Sequence, residues 1–118
     1  MKRNLLITSI LGLVVIFVAA CSSPAAQPSG DENAGQEVEG SISNYTYEPK
    51  DLEVKVGTTV TWTNLDSVEH TVTANDGAFD SGLFGKDAAF SFTFQTAGSF
   101  PYYCIPHPNM IGTVTVVP

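Results

Sequence analysis

Hydrophobic and polar residues alternate with a period of two in short segments of the C-terminal two thirds of the chain. In each segment the apolar side chains share one face, as expected of a β-strand with one buried side. The segments are DLEVKV (51–56), TVTW (59–62), FSFTF (90–94), FPYYC (100–104) and TVTVV (113–117). No window here keeps a helical period, and turn formers such as NLDS, NDG, DSG and TAG separate the segments. The pattern predicts an all-β fold, an antiparallel sandwich or barrel of short strands.

The same alternation predicts where two reactive side chains lie. Cys104 shares its parity with Phe100 and Tyr102, so its thiol should point inward at the end of a strand. His70 opens another strand-like run, HTVTA, directly after the loop NLDSVE. Both residues are therefore expected at strand ends, where two loops can converge.

The segment CIPHPNM (104–110) concentrates ligands for a soft metal. Sulfur and imidazole donors select copper, and two histidines with one cysteine and a weak axial methionine form the blue-copper arrangement. Taken alone, each ligand has a simpler role: a buried cysteine or methionine often only fills a core. The chain has two histidines, and Met110 and Met1 are its two methionines. We therefore predict one copper ion with four ligands, His70, Cys104, His107 and Met110.

Two prolines stiffen this ligand loop. Pro106 and Pro108 have fixed φ angles, and they disfavour helical conformations in the residues that precede them. A loop held in this way changes shape little when the metal gains or loses an electron. The sequence of the loop therefore favours electron transfer.

The N-terminus has the features of an export signal. Lys2 and Arg3 precede an apolar run over residues 5–20, which ends in small residues before Cys21. This pattern predicts a secretory signal peptide at 1–20, with an uncleaved N-terminal membrane anchor as the alternative. The ending resembles the lipobox of bacterial lipoproteins, and that resemblance implies a lipidated Cys21. The protein would then be exported and anchored to a membrane that faces the periplasm or the cell exterior.

Composition divides the rest of the chain. Residues 21–38 comprise the cysteine expected to be lipidated, Cys21, and an acidic segment rich in Pro, Gly and Ser that is expected to be a flexible linker. Residues 39–118 remain as one copper-binding domain. Without residues 1–20 the chain has three basic and twelve acidic residues, a net charge of −9, which argues against nucleic acid as a partner. A disulfide between Cys21 and Cys104 would close a loop through the linker, so we expect Cys104 to be a free thiol.

The chain also resembles a known family. The stretches YTYEPKDLEVKVGTTVTWTNLDSVEHTV, FDSG and FSFTFQTAGSFPYYCIPHPNMIGTVTV, within residues 41–117, are similar to the small cupredoxins of the plastocyanin and amicyanin type. The short Cys-x-x-His-x-x-Met spacing resembles that of amicyanin, whereas plastocyanin has two more residues before its methionine. The resemblance implies a Greek-key β-sandwich and copper bound by His70 Nδ1, Cys104 Sγ, His107 Nδ1 and Met110 Sδ, with His107 reaching the surface.

One pair of positions departs from that family. Relatives usually have Asn after the first ligand histidine and Ser or Thr after the cysteine, a pair that joins the two ligand loops. Here the positions hold Thr71 and Ile105. Thr71 has a hydroxyl group, but the Ile105 side chain cannot form a hydrogen bond with it. The sequence therefore leaves open how the two ligand loops are joined, and with it the reduction potential.

A site with four ligands and no open position leaves one-electron exchange as its chemistry, so we predict an electron carrier and not an enzyme. The expected partners are a cytochrome, a dehydrogenase or a membrane oxidase, which would dock on a monomeric protein near His107. The docking surface would include Pro106 and Pro108, and also Leu83 and Phe84 unless these two belong to the core. Tyr103 is either a second electron route or a packing residue.

Two other functions remain open at this stage. A copper chaperone or storage protein would bind Cu(I) without cycling, and a metal-free adhesive sandwich would not need Cys104. Multicopper oxidases and nitrite reductases need more histidines than the two present here.

Overall fold

The computed structural model of the protein describes residues 35–118. The predicted signal peptide, Cys21 and residues 22–34 of the predicted linker lie outside these residues. Residues 35–118 contain no helix that is long and apolar enough to cross a membrane. They form eight strands: β1 (Glu37–Ser43), β2 (Thr46–Glu48), β3 (Asp51–Lys55), β4 (Thr58–Asn64), β5 (Thr73–Ala74), β6 (Ala89–Phe94), β7 (Gly98–Tyr103) and β8 (Ile111–Val117). Strand β1 starts two residues before the predicted domain boundary at 39.

The strands form two four-stranded sheets, with the orders β2-β1-β4-β6 and β3-β8-β7-β5. The predicted all-β sandwich is thereby confirmed. The expectation of purely antiparallel pairing is wrong, because β1 pairs with β4, and β3 with β8, in the parallel sense. Alternation along a strand sets which face is buried, but it does not set the direction of the neighbouring strand.

The apolar faces of the two sheets meet in one core. Strand β4 shows the predicted period most clearly, since every second residue from Thr58 to Asn64 is buried. The ring of Trp62 is fully buried and contacts the ring of Tyr102 from the opposite sheet edge-on, at a centroid distance of 5.5 Å. The buried apolar residues are Ile42, Tyr47, Val54, Val60, Trp62, Val72, Ala74, Phe79, Phe94, Tyr102, Cys104, Met110, Val114 and Val116.

Strands β1 and β2 have no strong signal in the sequence. In β1 one of the two buried positions is Gly40, which has no side chain to mark a hydrophobic face. An added Cβ there would lie 3.1 Å from Trp62, so glycine allows β1 to pack closely on that ring. A two-residue turn, Asn44 and Tyr45, joins β1 to β2 with positive φ angles of 52° and 59°. Two positive φ angles are typical of type I′ hairpin turns, whose twist matches the twist of the strands on either side.

The run HTVTA forms a shorter strand than its pattern predicts. Only Thr73 and Ala74 pair with β7, with Thr73 opposite Tyr103. His70 instead forms an isolated bridge with Phe84, in which each backbone amide donates to the other residue's carbonyl, at 3.2 and 3.0 Å. The β5–β7 pairing therefore brings the segment after His70 next to Cys104, the first residue after β7.

Strand β8 approaches the Tyr102 ring so closely at Gly112 that this position requires glycine, and this requirement can be tested. Gly112 lies opposite Tyr102, and a Cβ at this position would collide with the Tyr102 ring and lie 2.8 Å from the Lys50 carbonyl oxygen. We expect Gly112→Ala to lower the free energy of unfolding by about 1–3 kcal/mol, the usual cost of overpacking a core. The measurement is the midpoint of urea unfolding.

Gly85→Ala is the matched control, since the nearest atom to its added Cβ is Glu69 Cγ at 3.9 Å. Equal unfolding midpoints for Gly112→Ala and Gly85→Ala would contradict the predicted collision.

Candidate metal centre

Three predicted ligands converge at one end of the sandwich. The thiol sulfur of Cys104 lies 3.6 Å from Nδ1 of His70 and 3.6 Å from Nδ1 of His107. One donor atom from each residue lies within 4.8 Å of the other two. Cys104 and His70 are fully buried and His107 is half-buried. The predicted inward direction of the Cys104 side chain is therefore confirmed.

The spacing of these atoms fits a single first-row metal ion. Sulfur at about 2.3 Å and nitrogen at about 2.0 Å from one ion, separated by roughly 110–115°, would lie about 3.6 Å apart. This value matches both sulfur–nitrogen distances. One thiol and two imidazoles are also the donor types that suit copper. The residues present therefore fit a copper ion.

Met110 ends the tight loop that begins at Cys104. The Cys104 amide donates to the Met110 carbonyl at 3.1 Å, the Met110 amide donates to His107 at 2.9 Å, and the His107 amide donates to Cys104 at 3.2 Å. Met110 is also buried, with 5% of its surface exposed. Backbone hydrogen bonds thus hold the start, middle and end of the loop together.

Asp66 sets the orientation of the buried histidine. Its Oδ2 lies 2.9 Å from Nε2 of His70, on the side of the ring opposite Cys104. A neutral His70 that donates its Nε2 hydrogen to Asp66 keeps a free lone pair on Nδ1, which faces the sulfur. Carboxylates that bind a ligand histidine in this way fix its tautomer and raise its basicity. The sequence did not predict this role of Asp66, because aspartate is a common turn residue in a loop such as NLDSVE.

Asp66 also holds the β1–β2 turn. Its carboxylate accepts hydrogen bonds from the amides of Asn44, at 2.7 Å, and Tyr45, at 2.9 Å. Desolvation opposes ionisation, but these two amides and the imidazole of His70 outweigh it and hold the pKa of Asp66 below its usual range. One carboxylate therefore connects the β1–β2 hairpin to the metal ligand.

The turn places an aromatic ring against both histidines. The Tyr45 ring contacts His70 and His107 edge-on, at centroid distances of 5.3 and 4.9 Å. Tyr45 is 49% exposed, so it lies between the imidazoles and the solvent. With Pro106, Pro108 and others, Tyr45 and His107 line a shallow surface cavity of about 410 Å³. The sequence analysis missed this role as well.

A backbone amide links the two ligand segments. The Ile105 side chain cannot hydrogen-bond, but the Ile105 backbone amide donates to Thr71 Oγ1 at 2.9 Å. The Thr71 amide in turn donates to the Cys104 sulfur at 3.3 Å. Positions 71 and 105 therefore join the two ligand segments, through the Thr71 hydroxyl and the Ile105 backbone amide and not through the Ile105 side chain.

A buried tyrosine completes the contacts of Thr71. The Tyr47 hydroxyl donates to the Thr71 carbonyl at 2.6 Å. Burial, followed by the proximity of Cys104 and Tyr102, raises the pKa of Tyr47 well above its usual range. Burial likewise raises the pKa of Tyr102 to about 12, although a hydrogen bond from Trp62 opposes the shift. Both phenols therefore stay protonated at neutral pH.

The three remaining candidate residues have different environments. Leu83 is 59% exposed and, with Ile105 and Pro106, lines an apolar surface cavity. Phe84 packs against the core. Tyr103 is half-buried and lies opposite Ile111 in the β7–β8 pairing. Leu83 therefore belongs to the surface beside the site, and Phe84 to its support.

Sequence and structure comparisons agree with this geometry. Residues 34–117 match the family described as copper binding proteins, plastocyanin/azurin family. Amicyanin from Paracoccus denitrificans is 37% identical over 107 residues, which cover 82% of each chain. Amicyanin-alpha from Methylorubrum extorquens is 30% identical over 84% of this chain and 92% of its own.

A solved structure extends the similarity to the fold. A purple cupredoxin from Nitrosopumilus maritimus superposes with a TM-score of 0.63 and 37% identity, over 68% of this chain and 99% of that one. The family match covers most of the chain, and the amicyanin similarity agrees with it. The chain belongs to the copper-binding plastocyanin/azurin family of cupredoxins.

Proposed function

We propose that this protein is an electron carrier with one copper ion held by His70, Cys104 and His107, with Met110 as the axial ligand. The observation that carries the proposal is the convergence of one thiol and two imidazole nitrogens within 4.8 Å. When bound, copper supplies a one-electron couple between Cu(I) and Cu(II). The fold and the loop hold the donor atoms close together, which keeps structural rearrangement small on electron transfer.

The ligands divide the work between the interior and the surface. His70 is buried and oriented by Asp66, so it anchors the ion on the protein side. His107 is half-buried and borders a surface cavity, which makes its ring the shortest route for an electron to reach a partner. Tyr45 shields the imidazoles from part of the solvent.

Exposed apolar residues, here called the apolar rim, lie near the route through His107. Each large hydrophobic residue that is exposed in residues 35–118 lies in or directly beside a segment of the site. These residues are Tyr45, Leu65, Leu83, Ile105 and Ile111. An apolar rim with few charges is suited to brief docking, as in the small interfaces of redox encounters. We propose that a cytochrome, a dehydrogenase or a membrane oxidase docks here on a monomeric carrier.

The N-terminal pattern supports a location outside the cytoplasm. We propose that residues 1–20 direct export and that a lipidated Cys21 anchors the mature protein to a membrane, with residues 22–36, up to the start of β1, as the tether. Within residues 35–118 the Cys104 thiol has no disulfide partner. A free thiol is unusual in an oxidising compartment, and a role as copper ligand accounts for it.

The buried ligands also argue for a carrier over a chaperone. A chaperone must pass its ion directly to another protein, whereas Cys104 and His70 are fully buried here. Among the three ligands Cys104, His70 and His107, only His107 reaches the surface, beside the rim. An electron can pass through this residue, but a second protein cannot replace the buried ligands there.

Copper loading of the purified protein tests the proposal. We expect one equivalent of Cu(II) to produce an intense visible band from thiolate-to-copper charge transfer, which ascorbate removes and ferricyanide restores. Cys104→Ser should lose the band, because it replaces the sulfur that generates it. Tight, colourless Cu(I) binding with no reversible band would contradict an electron carrier and favour a chaperone.

The contact between Asp66 and His70 predicts a change in reduction potential. Asp66→Asn removes a negative charge that makes His70 a better donor to Cu(II), so the potential should rise. We expect roughly 20–60 mV, which corresponds to about 0.5–1.4 kcal/mol for one electron. Protein-film voltammetry measures the shift.

Asp76→Asn is the matched control, because Asp76 accepts a hydrogen bond from the Ala78 amide in an exposed turn. A potential that changes equally in both variants would mean that Asp66 does not act through His70.

The apolar rim predicts a slower electron self-exchange when it carries a charge. Leu83→Glu adds like charges that face each other when two molecules meet through the rim, so the self-exchange rate should fall about tenfold. The rate is measured from NMR line broadening in mixtures of oxidised and reduced protein.

Thr96→Glu adds the same charge in the turn before β7, at the opposite end of that strand from Cys104. Equal slowing by both variants would contradict docking through the rim.

A further inference from the structure

The segment Asp80–Ser81–Gly82 is bound closely to the chain that follows His70. The Ser81 amide donates to the Val72 carbonyl at 3.0 Å, and the Val72 amide donates to Ser81 Oγ at 2.7 Å. Asp80 Oδ1 accepts a hydrogen bond from the Gly82 amide at 3.0 Å, and Asp80 forms a bridge with Thr73. None of these residues contacts a donor atom of the metal site. They are nevertheless connected to the metal site by hydrogen bonds through Thr73 and Thr71.

A row of hydroxyl groups connects Asp80 to the cysteine loop. Asp80 Oδ1 lies 3.1 Å from Thr73 Oγ1, which lies 2.9 Å from Thr71 Oγ1. Thr71 Oγ1 accepts the hydrogen bond from the Ile105 amide. Thr71 and Thr73 are 2% and 8% exposed, so water has little access to the two hydroxyls.

The Thr73 hydroxyl is the donor in this row. Its oxygen is placed to donate to Thr71 Oγ1 and to Asp80 Oδ1, so the two acceptors share its single hydrogen. Thr71 Oγ1 accepts from Thr73 on one side and from the Ile105 amide on the other. Asp80 restricts the rotation of the Thr73 side chain and so keeps its hydroxyl beside Thr71.

We propose that Asp80 and Thr73 are positioning residues, which act through Thr71 to hold the Cys104 segment against the His70 segment. The consequence for copper rests on the function proposed above. In this chain, a backbone amide and two threonine hydroxyls join the loops in place of a direct bond between two side chains. The carboxylate of Asp80 orients the row, which explains the role of the DSG motif.

The row also affects the cysteine sulfur. Thr71 uses its amide to donate to Cys104 Sγ at 3.3 Å, while its hydroxyl holds Ile105. Displacement of Thr71 therefore weakens the hydrogen bond to the sulfur. Hydrogen bonds to the thiolate tune the potential of a copper site, and loss of a donor favours the oxidised ion. The reduction potential should fall when the row is broken.

Amide hydrogen exchange of the copper-free full chain, followed by NMR, tests the row directly. We expect Thr73→Val to raise the exchange rate of the Ile105 amide about fivefold, the effect of weakening one hydrogen bond. Thr73→Ser restores the hydroxyl and should restore the wild-type rate. Asp80→Ala should also accelerate exchange, and Asp80→Asn, which keeps an acceptor oxygen, should do so less.

Two control variants separate this effect from a general loss of stability. Thr59→Val breaks a threonine pair on the other sheet, where Thr59 and Thr93 share a hydrogen bond of 2.7 Å. Asp76→Ala removes a comparable turn contact. Both should leave the Ile105 rate unchanged. A rate in Thr73→Val equal to that of the wild type would overturn the proposal.

The reduction potential of the copper-loaded chain tests the effect on the metal. Thr73→Val should have a lower potential than Thr59→Val, and Thr73→Ser should return it to the wild-type value. Equal potentials in Thr73→Val and Thr59→Val would overturn the positioning role. A chain that binds no copper would contradict the proposed function instead, and exchange in the copper-free chain would still decide whether the row joins the two segments.

Discussion

The site depends on the contact between two segments whose ligands, His70 and Cys104, are 34 residues apart in the chain. Strand β5 pairs with β7, and just beyond this pairing Thr71 donates to the Cys104 sulfur and accepts from Ile105. These bonds form within the protein itself, so folding offsets the entropy of bringing the donors together. These hydrogen bonds hold the donor atoms in place, so the protein needs little rearrangement when the charge of a copper ion there changes.

The two histidines have unequal environments, and this asymmetry gives the site a direction. Asp66 holds His70 from behind, inside the protein, whereas His107 lies at the surface beneath Tyr45. Asp66 also binds the turn that carries Tyr45, so one carboxylate orients the buried ligand and supports the ring that covers both imidazoles. The accessible side is apolar and the remainder of the protein is acidic, with a net charge of −7 for the whole chain. Such a surface allows partners to dock briefly and separate.

Sequence-based expectations succeeded where a local rule applies. Alternation placed Val60, Trp62 and Val114 in the core, and parity placed Cys104 inward. The sequence-based expectations failed where a contact is made by a backbone group, or by a partner that lies far away in the chain. Ile105 was judged by its side chain, although its amide makes the bond. Strand β1 was not recognised, because a buried glycine weakens its hydrophobic pattern, and the parallel pairs could not be read from alternation.

The sequence by itself determined which donor types the chain offers. Cys104, His107 and Met110 stand at a short spacing and His70 stands far from them, and these side chains restrict the metal because ligand type is a property of each side chain. The sequence also determined the strand period, which depends only on neighbouring residues. The tertiary structure alone decided that Asp66 lies behind His70, and that Thr73 hydrogen-bonds to both Thr71 and Asp80. These contacts depend on strand pairing and register across long loops, and no local pattern encodes the partner of a hydrogen bond that forms across the fold.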